Sequence, residues 1–163
     1  MLPDVKKILY ASDIEQGSRP AFRAAVSLCG HYDAEITFLH VIEPLSASAQ
    51  SIVKTMMNDA SLLEMHDDSL QHLRDMLKER IDAFCDSELE PEERPAEDQI
   101  ATRVEEGAPD QVILKVADEI DADVIVMGCR KHNAVSQFLL GSTANKVMHQ
   151  SQRPVLIVPL KKS

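Results

Sequence analysis

The sequence contains no tryptophan, and aromatic residues make up only 4% of the chain. Because large rings are scarce, we expect a core built from Val, Ile, Leu, Met and Ala. No apolar run approaches the ~20 residues that a helix needs to cross a bilayer. The first residues also lack the long apolar segment of a secretory signal. These absences predict a cytoplasmic protein that does not insert into membranes.

Cysteine is scarce as well. The three cysteines, Cys29, Cys85 and Cys129, are widely spaced and form no CxxC pair. An odd number at long spacings argues against a disulfide framework or a zinc site and fits a reducing cytosol. Cys129 is interpreted as an inert thiol, with redox sensitivity as the alternative because two cations follow it.

Positive charge is the third shortage, since Lys and Arg number 17 against 27 Asp and Glu, a formal net charge of −10. A field of that sign repels nucleic acid and anionic lipid, so general nucleic-acid binding is excluded. A single phosphate ligand is not excluded, because its binding depends on groups in direct contact with it.

What is present is an alternation of apolar segments over 163 residues, a length that suits one domain spanning residues 1–163. Short apolar runs predict strands at 7–12, 34–42, 99–105, 122–127 and 154–160. Apolar residues at helical spacing predict helices at 19–31, 61–85, 109–120 and 142–150. Residues 44–60 are predicted to form a loop, Gly30 to terminate the first helix and Gly128 to end the fourth strand.

Alternating strands and helices joined by short connections indicate right-handed crossovers. The sequence therefore predicts an α/β fold with a parallel five-stranded sheet covered by helices on both faces. Ligands of such sheets bind outside the carboxyl ends of the strands, where the strand order reverses. The strand ends of interest are Ala11-Ser12-Asp13, the segment around Val41, and the segment that starts at Met127.

The segment after the fourth strand is the most informative. It reads Gly128-Cys129-Arg130-Lys131, then nine residues, then Gly141-Ser142-Thr143 at the start of a predicted helix. A helix N-terminus offers free N–H groups and a positive dipole end, which suit phosphate. Gly141 would allow close backbone approach or a positive φ. Ser142 and Thr143 would cap the helix, donate to a phosphate oxygen, or do both.

Other strand-end residues could complete this site. Arg130 and Lys131 would add positive charge, although solvated surface charges are the alternative. Asp13 could accept hydrogen bonds from ribose hydroxyls or simply cap the next turn. Val41 would form an apolar wall for a base, whereas His40 is interpreted as a packed histidine.

These segments resemble the universal stress protein family, whose glycine pattern is Gly, two residues, Gly, nine residues, Gly, then Ser or Thr. Here it reads Gly128, two residues, Lys131, nine residues, Gly141, Ser142. The resemblance covers nearly the whole chain and includes the segments KILYASD, FLHVIEP, VEEGAPDQVILKVADEIDADVIVMG and RPVLIVP.

The resemblance implies a Rossmann-like, adenine nucleotide alpha hydrolase-like sandwich with three layers. It also implies a homodimer, formed by antiparallel pairing of the last strands at Val155 to Pro159. Many members bind ATP. By motif position, the residues implied to surround the nucleotide are Ala11, Ser12, Asp13, Val41, Met127, Gly128, Arg130, Lys131, Gly141, Ser142 and Thr143.

Lys131 departs from the pattern, because it stands where the family has its second glycine. Two hypotheses follow. In the first, the protein is a regulatory homodimer that binds ATP, and the Lys131 ammonium helps to neutralise phosphate. In the second, Lys131 occupies the phosphate site, and the protein acts through protein–protein contacts without a nucleotide. Either way the regulatory protein partner is not identified by the sequence.

A dedicated enzyme is the third hypothesis. The sequence lacks the GxxxxGK[ST] pattern and a nucleophile–base–acid set, so we expect at most slow ATP hydrolysis, with Asp13 able to help hold Mg²⁺. His66 and His72 are interpreted as part of a solvated polar face rather than a metal site. Met56, Met57, Met65 and Met76 are interpreted as core or surface filler rather than an interface.

Overall fold

Five parallel strands form one sheet in the computed structural model, which describes residues 2–11, 19–44, 46–130 and 141–160, without the side chains of residues 59 and 130. The strands are β1 (Lys7–Ala11), β2 (Glu35–Ile42), β3 (Ile100–Glu106), β4 (Val124–Arg130) and β5 (Val155–Leu160). The helices are α1 (Arg19–Tyr32), α2 (Ala47–Met56), α3 (Asp59–Glu88), α4 (Pro109–Glu119) and α5 (Ser142–Gln150). Two short 3₁₀ turns, Pro91–Glu93 and Glu97–Gln99, lead from α3 into β3.

The strand order is β3-β2-β1-β4-β5, so the direction of winding reverses between β1 and β4. In register, Ala11 at the end of β1 lies beside Leu39 of β2 and Met127 of β4. The carboxyl ends of the three central strands therefore meet at one edge, which is where parallel sheets of this kind bind ligands.

Helices cover both faces of the sheet. Successive strand residues point to opposite faces, so Ile8 and Tyr10 pack in one cluster with α1 and α3, while Leu9 packs in the other with α4. All three side chains are at most 2% exposed. The predicted three-layer, Rossmann-like α/β fold with a five-stranded parallel sheet is confirmed.

The expectation of a purely aliphatic core is wrong. Tyr10 meets Phe38 edge-on at a ring-centroid distance of 5.6 Å, and Phe22 stacks on Phe38 at 5.8 Å and on Phe84 at 4.5 Å. Such pairs each contribute about 0.5–1.5 kcal/mol beyond burial. Four of the described aromatic residues thus form one cluster between α1, α3 and the sheet, and composition alone does not reveal that concentration.

Two helices end on an aspartate in the left-handed conformation. Asp33 has φ 49° after α1, and Asp121 has φ 53° after α4. In each case the N–H of the following alanine bonds back across the last turn, with Ala34 donating to the Cys29 carbonyl at 3.0 Å. The prediction that Gly30 terminates the first helix is wrong, because Gly30 lies within α1.

The sequence predicts a loop over residues 44–60, but the structure has α2 there and the start of α3. Ser46 accepts a hydrogen bond from the N–H of Ala49 and so caps α2, and Asn58 accepts one from Ser61 at the start of α3. Sequence periodicity did not predict α2, because the small Ser and Ala residues of this segment give little hydrophobic periodicity.

Gly128 does not end the fourth strand, which continues to Arg130. A Cβ at Gly128 would lie 2.6 Å from Cδ1 of Leu160, the last residue of β5. Leu160 is 5% exposed and belongs to the cluster on the α1 face. The absence of a side chain at Gly128 is therefore required by the packing of Leu160.

We predict that Gly128→Ala destabilises the protein by about 1–3 kcal/mol, the usual cost of overpacking. In a Leu160→Ala background the same substitution should cost less than about 0.5 kcal/mol, because the clashing atoms are gone. Urea unfolding of the four proteins measures both values. Equal costs in the two backgrounds would contradict this account of Gly128.

Candidate functional site

A cleft of about 300 Å³ opens at the carboxyl ends of the three central strands. Its described lining comes from β1, β2, β4, β5 and the first turns of α1, α4 and α5, with residues Tyr10, Ala11, Ala21, Leu39, His40, Val41, Glu43, Pro109, Ile113, Met127, Gly128, Thr143 and Leu160. The cleft lies at the point where the strand order reverses. Its position follows from the topology rather than from any single motif.

One wall of the cleft is apolar. Leu39, Ile113 and Met127 are each at most 5% exposed and belong to the cluster on the α4 face, and Val41 packs against that cluster while half-buried. A flat ring placed against these side chains would remove more apolar surface from water, at about 25 cal/mol per Å². This wall can therefore hold a base or another hydrophobic ring.

The opposite part of the cleft is formed by the start of α5. Gly141 is the N-cap residue and accepts a hydrogen bond from the N–H of Asn145 at 2.9 Å. Its own N–H donates to Sγ of Cys129 at 3.3 Å, which fixes the helix start beside the end of β4. The N–H groups of the first helical turn have no partner within the helix, and the dipole makes this end positive.

Gly141 differs from Gly128 in its surroundings. A Cβ at Gly141 would meet no described atom within 4 Å, so packing among the described residues does not explain the glycine. Its φ of −55° is also open to any residue, so the expectation of a positive φ is wrong. A small residue at a helix start that faces open space leaves room for a ligand to approach the backbone.

One imidazole and one carboxyl group, those of His40 and Glu43, line the described part of the cleft. His40 is half-buried at the end of β2, and Glu43 is exposed just beyond it. No Lys or Arg side chain lies on this described lining. Within the part of the chain that the structure describes, the attraction for an anion comes from the α5 N-terminus.

The structure brings five of the predicted site residues together in this cleft: Ala11, Val41, Met127, Gly128 and Thr143. Gly141 adjoins it through its bond to Cys129, while Ser142 is exposed at the first position of α5. The prediction that Ser142 or Thr143 caps α5 is wrong, because the N-cap is Gly141 and no side chain caps the helix. Ser12, Asp13, Lys131 and the side chain of Arg130 lie outside the described residues.

Sequence reasoning missed part of the lining. Leu39 and Tyr10 come from strand interiors, and Pro109 and Ile113 come from the first turns of α4. No motif marks α4 as part of a site. The usable signal was positional, since the loop after β3 ends at the same edge of the sheet as the loops after β1 and β4.

Cys129 is buried, 8% exposed, and its sulfur accepts the Gly141 N–H, in keeping with its interpretation as an inert thiol. Burial also raises the pKa of the Cys29 thiol, helped by the charge of Asp33, and burial raises the pKa of Cys85. Thiols with raised pKa values hold little thiolate at neutral pH.

A larger cavity than this cleft lies elsewhere, between α1 and the end of α3, with a volume of about 610 Å³. It is far from the carboxyl ends of the strands, and Arg23 on its wall already pairs with Glu88 at 3.4 Å. We therefore place the candidate site in the smaller cleft, where a helix N-terminus, an apolar wall and an open glycine converge.

No group of three or more His, Cys, Asp or Glu residues is arranged to hold a metal ion in the described ranges. His66 instead contacts Glu106, with 3.0 Å between Nε2 and Oε2. Among the described helices, none has the length and apolarity to span a membrane.

The comparisons with known proteins agree with this architecture. A universal stress protein of Methanocaldococcus jannaschii is 26% identical over 162 residues, 97% of each chain. The universal stress protein UspA from Lactobacillus plantarum has a similar structure, with a TM-score of 0.68, 22% identity and coverage of 96% of this chain and 99% of that one. A universal stress protein solved in complex with cAMP superposes with a TM-score of 0.58, 18% identity and coverage of 96% and 98%.

The sequence also matches the universal stress protein family over residues 4–159. That match covers nearly the whole chain, and the likeness to the solved structures shows the same fold. The chain therefore belongs to the universal stress protein family.

Proposed function

We propose that this protein binds ATP in the cleft at the carboxyl ends of β1, β2 and β4 and acts as a regulatory homodimer. The observation that carries the proposal is the start of α5, where a Cβ at Gly141 would meet no described atom within 4 Å, beside an apolar-walled cleft. A free helix N-terminus favours phosphate, and the apolar wall favours a base. ATP carries both a phosphate chain and a base, so a single ligand would contact both features.

The described residues fit such a ligand. The adenine would lie against Val41 and Met127, and the phosphates would approach the N–H groups at the start of α5 near Thr143 and Gly141. Ser12, Asp13, Arg130 and Lys131 enter only as expectations from the sequence, with Asp13 at the ribose, the two cations at the phosphates and Mg²⁺ as a further ligand. Bound ATP would supply the negative charge and the ring that these groups recognise.

A relative supports the class of ligand, since one universal stress protein has been solved in complex with cAMP. That ligand shares the adenine ring, the ribose and a phosphate with ATP. The fold is common to both chains, and the cleft of this protein has its own open glycine and apolar wall. An adenine nucleotide is thus the ligand class that the relative and the cleft both favour.

We propose a regulatory role rather than efficient turnover. The features of the cleft are those of binding: an apolar wall, a helix dipole and a close backbone approach. Slow hydrolysis in the pocket is compatible with this role. A change in ATP occupancy would alter the surface presented to a regulatory protein partner.

Replacement of Gly141 tests the phosphate part of the proposal. Gly141→Val fills the open space at the helix start, and we expect the Kd for ATP to rise at least tenfold, about 1.4 kcal/mol. Isothermal titration with ATP and Mg²⁺ measures the change. Gly30→Val is the matched control, because a Cβ at Gly30 also meets no described atom within 4 Å but lies outside the cleft.

Equal ATP affinity in the wild type, Gly141→Val and Gly30→Val proteins would place the phosphates elsewhere. The absence of any heat or thermal shift with the wild type at millimolar ATP would end the nucleotide proposal altogether.

Lys131→Gly separates the two hypotheses about this position. If the ammonium neutralises phosphate, the wild type binds ATP and the variant binds several-fold more weakly, with a smaller dependence on salt. If the lysine instead occupies the phosphate site, only the variant binds. The same titration, repeated at two salt concentrations, distinguishes these results.

We also propose that the dimer forms through β5, which is an edge strand of the sheet. The Pro154 carbonyl accepts from the N–H of Ile125, and Ile125 is in register with Val155. By alternation along a parallel pair, the backbone groups of residues 155, 157 and 159 face away from β4. These outward groups are available to a second copy of the chain.

Ile157→Pro tests this arrangement. The substitution removes an outward N–H at the centre of the edge and no hydrogen bond to β4, so we expect a folded monomer where the wild type is a dimer. Sedimentation equilibrium gives the oligomeric state, and circular dichroism checks the fold. A dimer that survives the substitution would move the interface away from β5.

A further inference from the structure

Several large apolar side chains are exposed on α2 and the first half of α3. Ile52 is 61% exposed, Met56 79%, Leu63 64% and Met65 52%. No residue of α2 is buried, and the buried positions of α3 begin only at Leu77. The methionines interpreted as filler thus include solvent-facing residues, and the two helices present an apolar surface that the fold itself does not cover.

A groove of about 410 Å³ runs between the two helices and the carboxyl ends of β2 and β3. Val53 of α2 lines it, together with Leu62, Leu63 and Leu73 of α3. Residues 62, 66, 69 and 73 of α3 share one helical face, so the groove follows the helix for about three turns. A groove of this length and shape is suited to a third helix.

The edge of the groove is acidic. Glu43 and Glu106 line it, and Lys54 is the lysine on the described lining. The exposed carboxylates of Glu64, Asp67 and Asp68 in the first half of α3 do not line the groove, because they lie on the opposite face of the helix from residues 62, 66, 69 and 73. His66 contacts Glu106 at 3.0 Å and so links α3 to the end of β3 beside the groove.

We propose that this α2–α3 groove is the docking site for a cationic amphipathic helix of a partner protein. The apolar side chains of such a helix would cover Val53 and Leu63, and its lysines or arginines would meet the acidic edge. Complementarity of this kind favours fast and selective association. The groove is a different surface from the cleft and from the β5 edge, and Glu43 is the residue that lines both the groove and the cleft.

Charge also argues against a second copy of the chain as the occupant. Glu43 and Glu106 line each groove, so the acidic edges of two grooves would face one another if two copies met there. Like charges brought together across an interface oppose association. A positively charged helix meets no such barrier and gains from the field of the whole molecule.

The test uses a labelled 18-residue amphipathic peptide of leucine and lysine, and the same peptide with glutamate in place of lysine. We expect the full-length protein to bind the lysine peptide in a fluorescence anisotropy titration without nucleotide and to leave the glutamate peptide free. Leu63→Ser should weaken binding of the lysine peptide about tenfold or more, because a leucine side chain is lost from the contact.

Met148→Ser is the matched control, since Met148 is 42% exposed on α5, away from the groove. The proposal requires that this variant bind the lysine peptide as the wild type does and that circular dichroism show both variants folded. Equal binding by wild type and Leu63→Ser would mean that the peptide is held by net charge alone, and the proposal would be wrong. It would also be wrong if neither peptide bound, or if Leu63→Ser dissociated a dimer that Ile157→Pro leaves intact.

Discussion

The register of β1 against β4 determines where these two strands end, and therefore where the cleft lies. The Asp123 carboxylate accepts hydrogen bonds from the backbone N–H groups of Lys6 at 2.8 Å and Lys7 at 2.9 Å, and the Asp123 N–H donates to the Lys7 carbonyl at 2.8 Å. Hydrogen bonds to a charged carboxylate are stronger than those between neutral groups. They align the start of β1 with the start of β4, so that Ala11 and Met127 finish side by side. The cleft exists because these two strands, on either side of the reversal in strand order, end at the same level.

Two glycines of the family pattern have different physical roles in this frame. Gly128 is required by packing, since Leu160 occupies the space that a Cβ would need. Gly141 is required by nothing in the described part of the protein, and it lies at the positive end of α5. The first glycine thus bears mainly on stability, whereas the role we propose for the second is in ligand binding. Because Leu160 belongs to β5 and also lines the cleft, the edge strand and the candidate site share a side chain.

The electrostatics of the molecule are consistent with small-ligand binding and protein contacts. The chain is acidic as a whole, so an anion is attracted only where a helix N-terminus or nearby cations act at close range. The net negative charge of the chain instead favours basic partners. The α2–α3 groove also has exposed apolar side chains that such a partner could cover. The Arg103–Glu119 ion pair links β3 to α4, and the hydrogen bond from Arg103 keeps the pKa of Glu119 below its ordinary value.

The sequence by itself determined the order and type of most elements, because the apolar periodicity of a helix or a buried strand is local. It also predicted Val41, Met127 and Gly128 at one edge of the sheet, since parallel strands place their carboxyl ends together. Only the tertiary structure decided that Phe22, Phe38 and Tyr10 form one cluster. It also decided that Gly128 leaves space for the side chain of Leu160, and that Pro109 and Ile113 line the cleft. Each of those outcomes joins residues that are far apart in the chain, and such contacts leave no local pattern to read. The short helix α2 went unpredicted for a related reason: its small polar residues bury nothing, so they carry no periodic apolar signal.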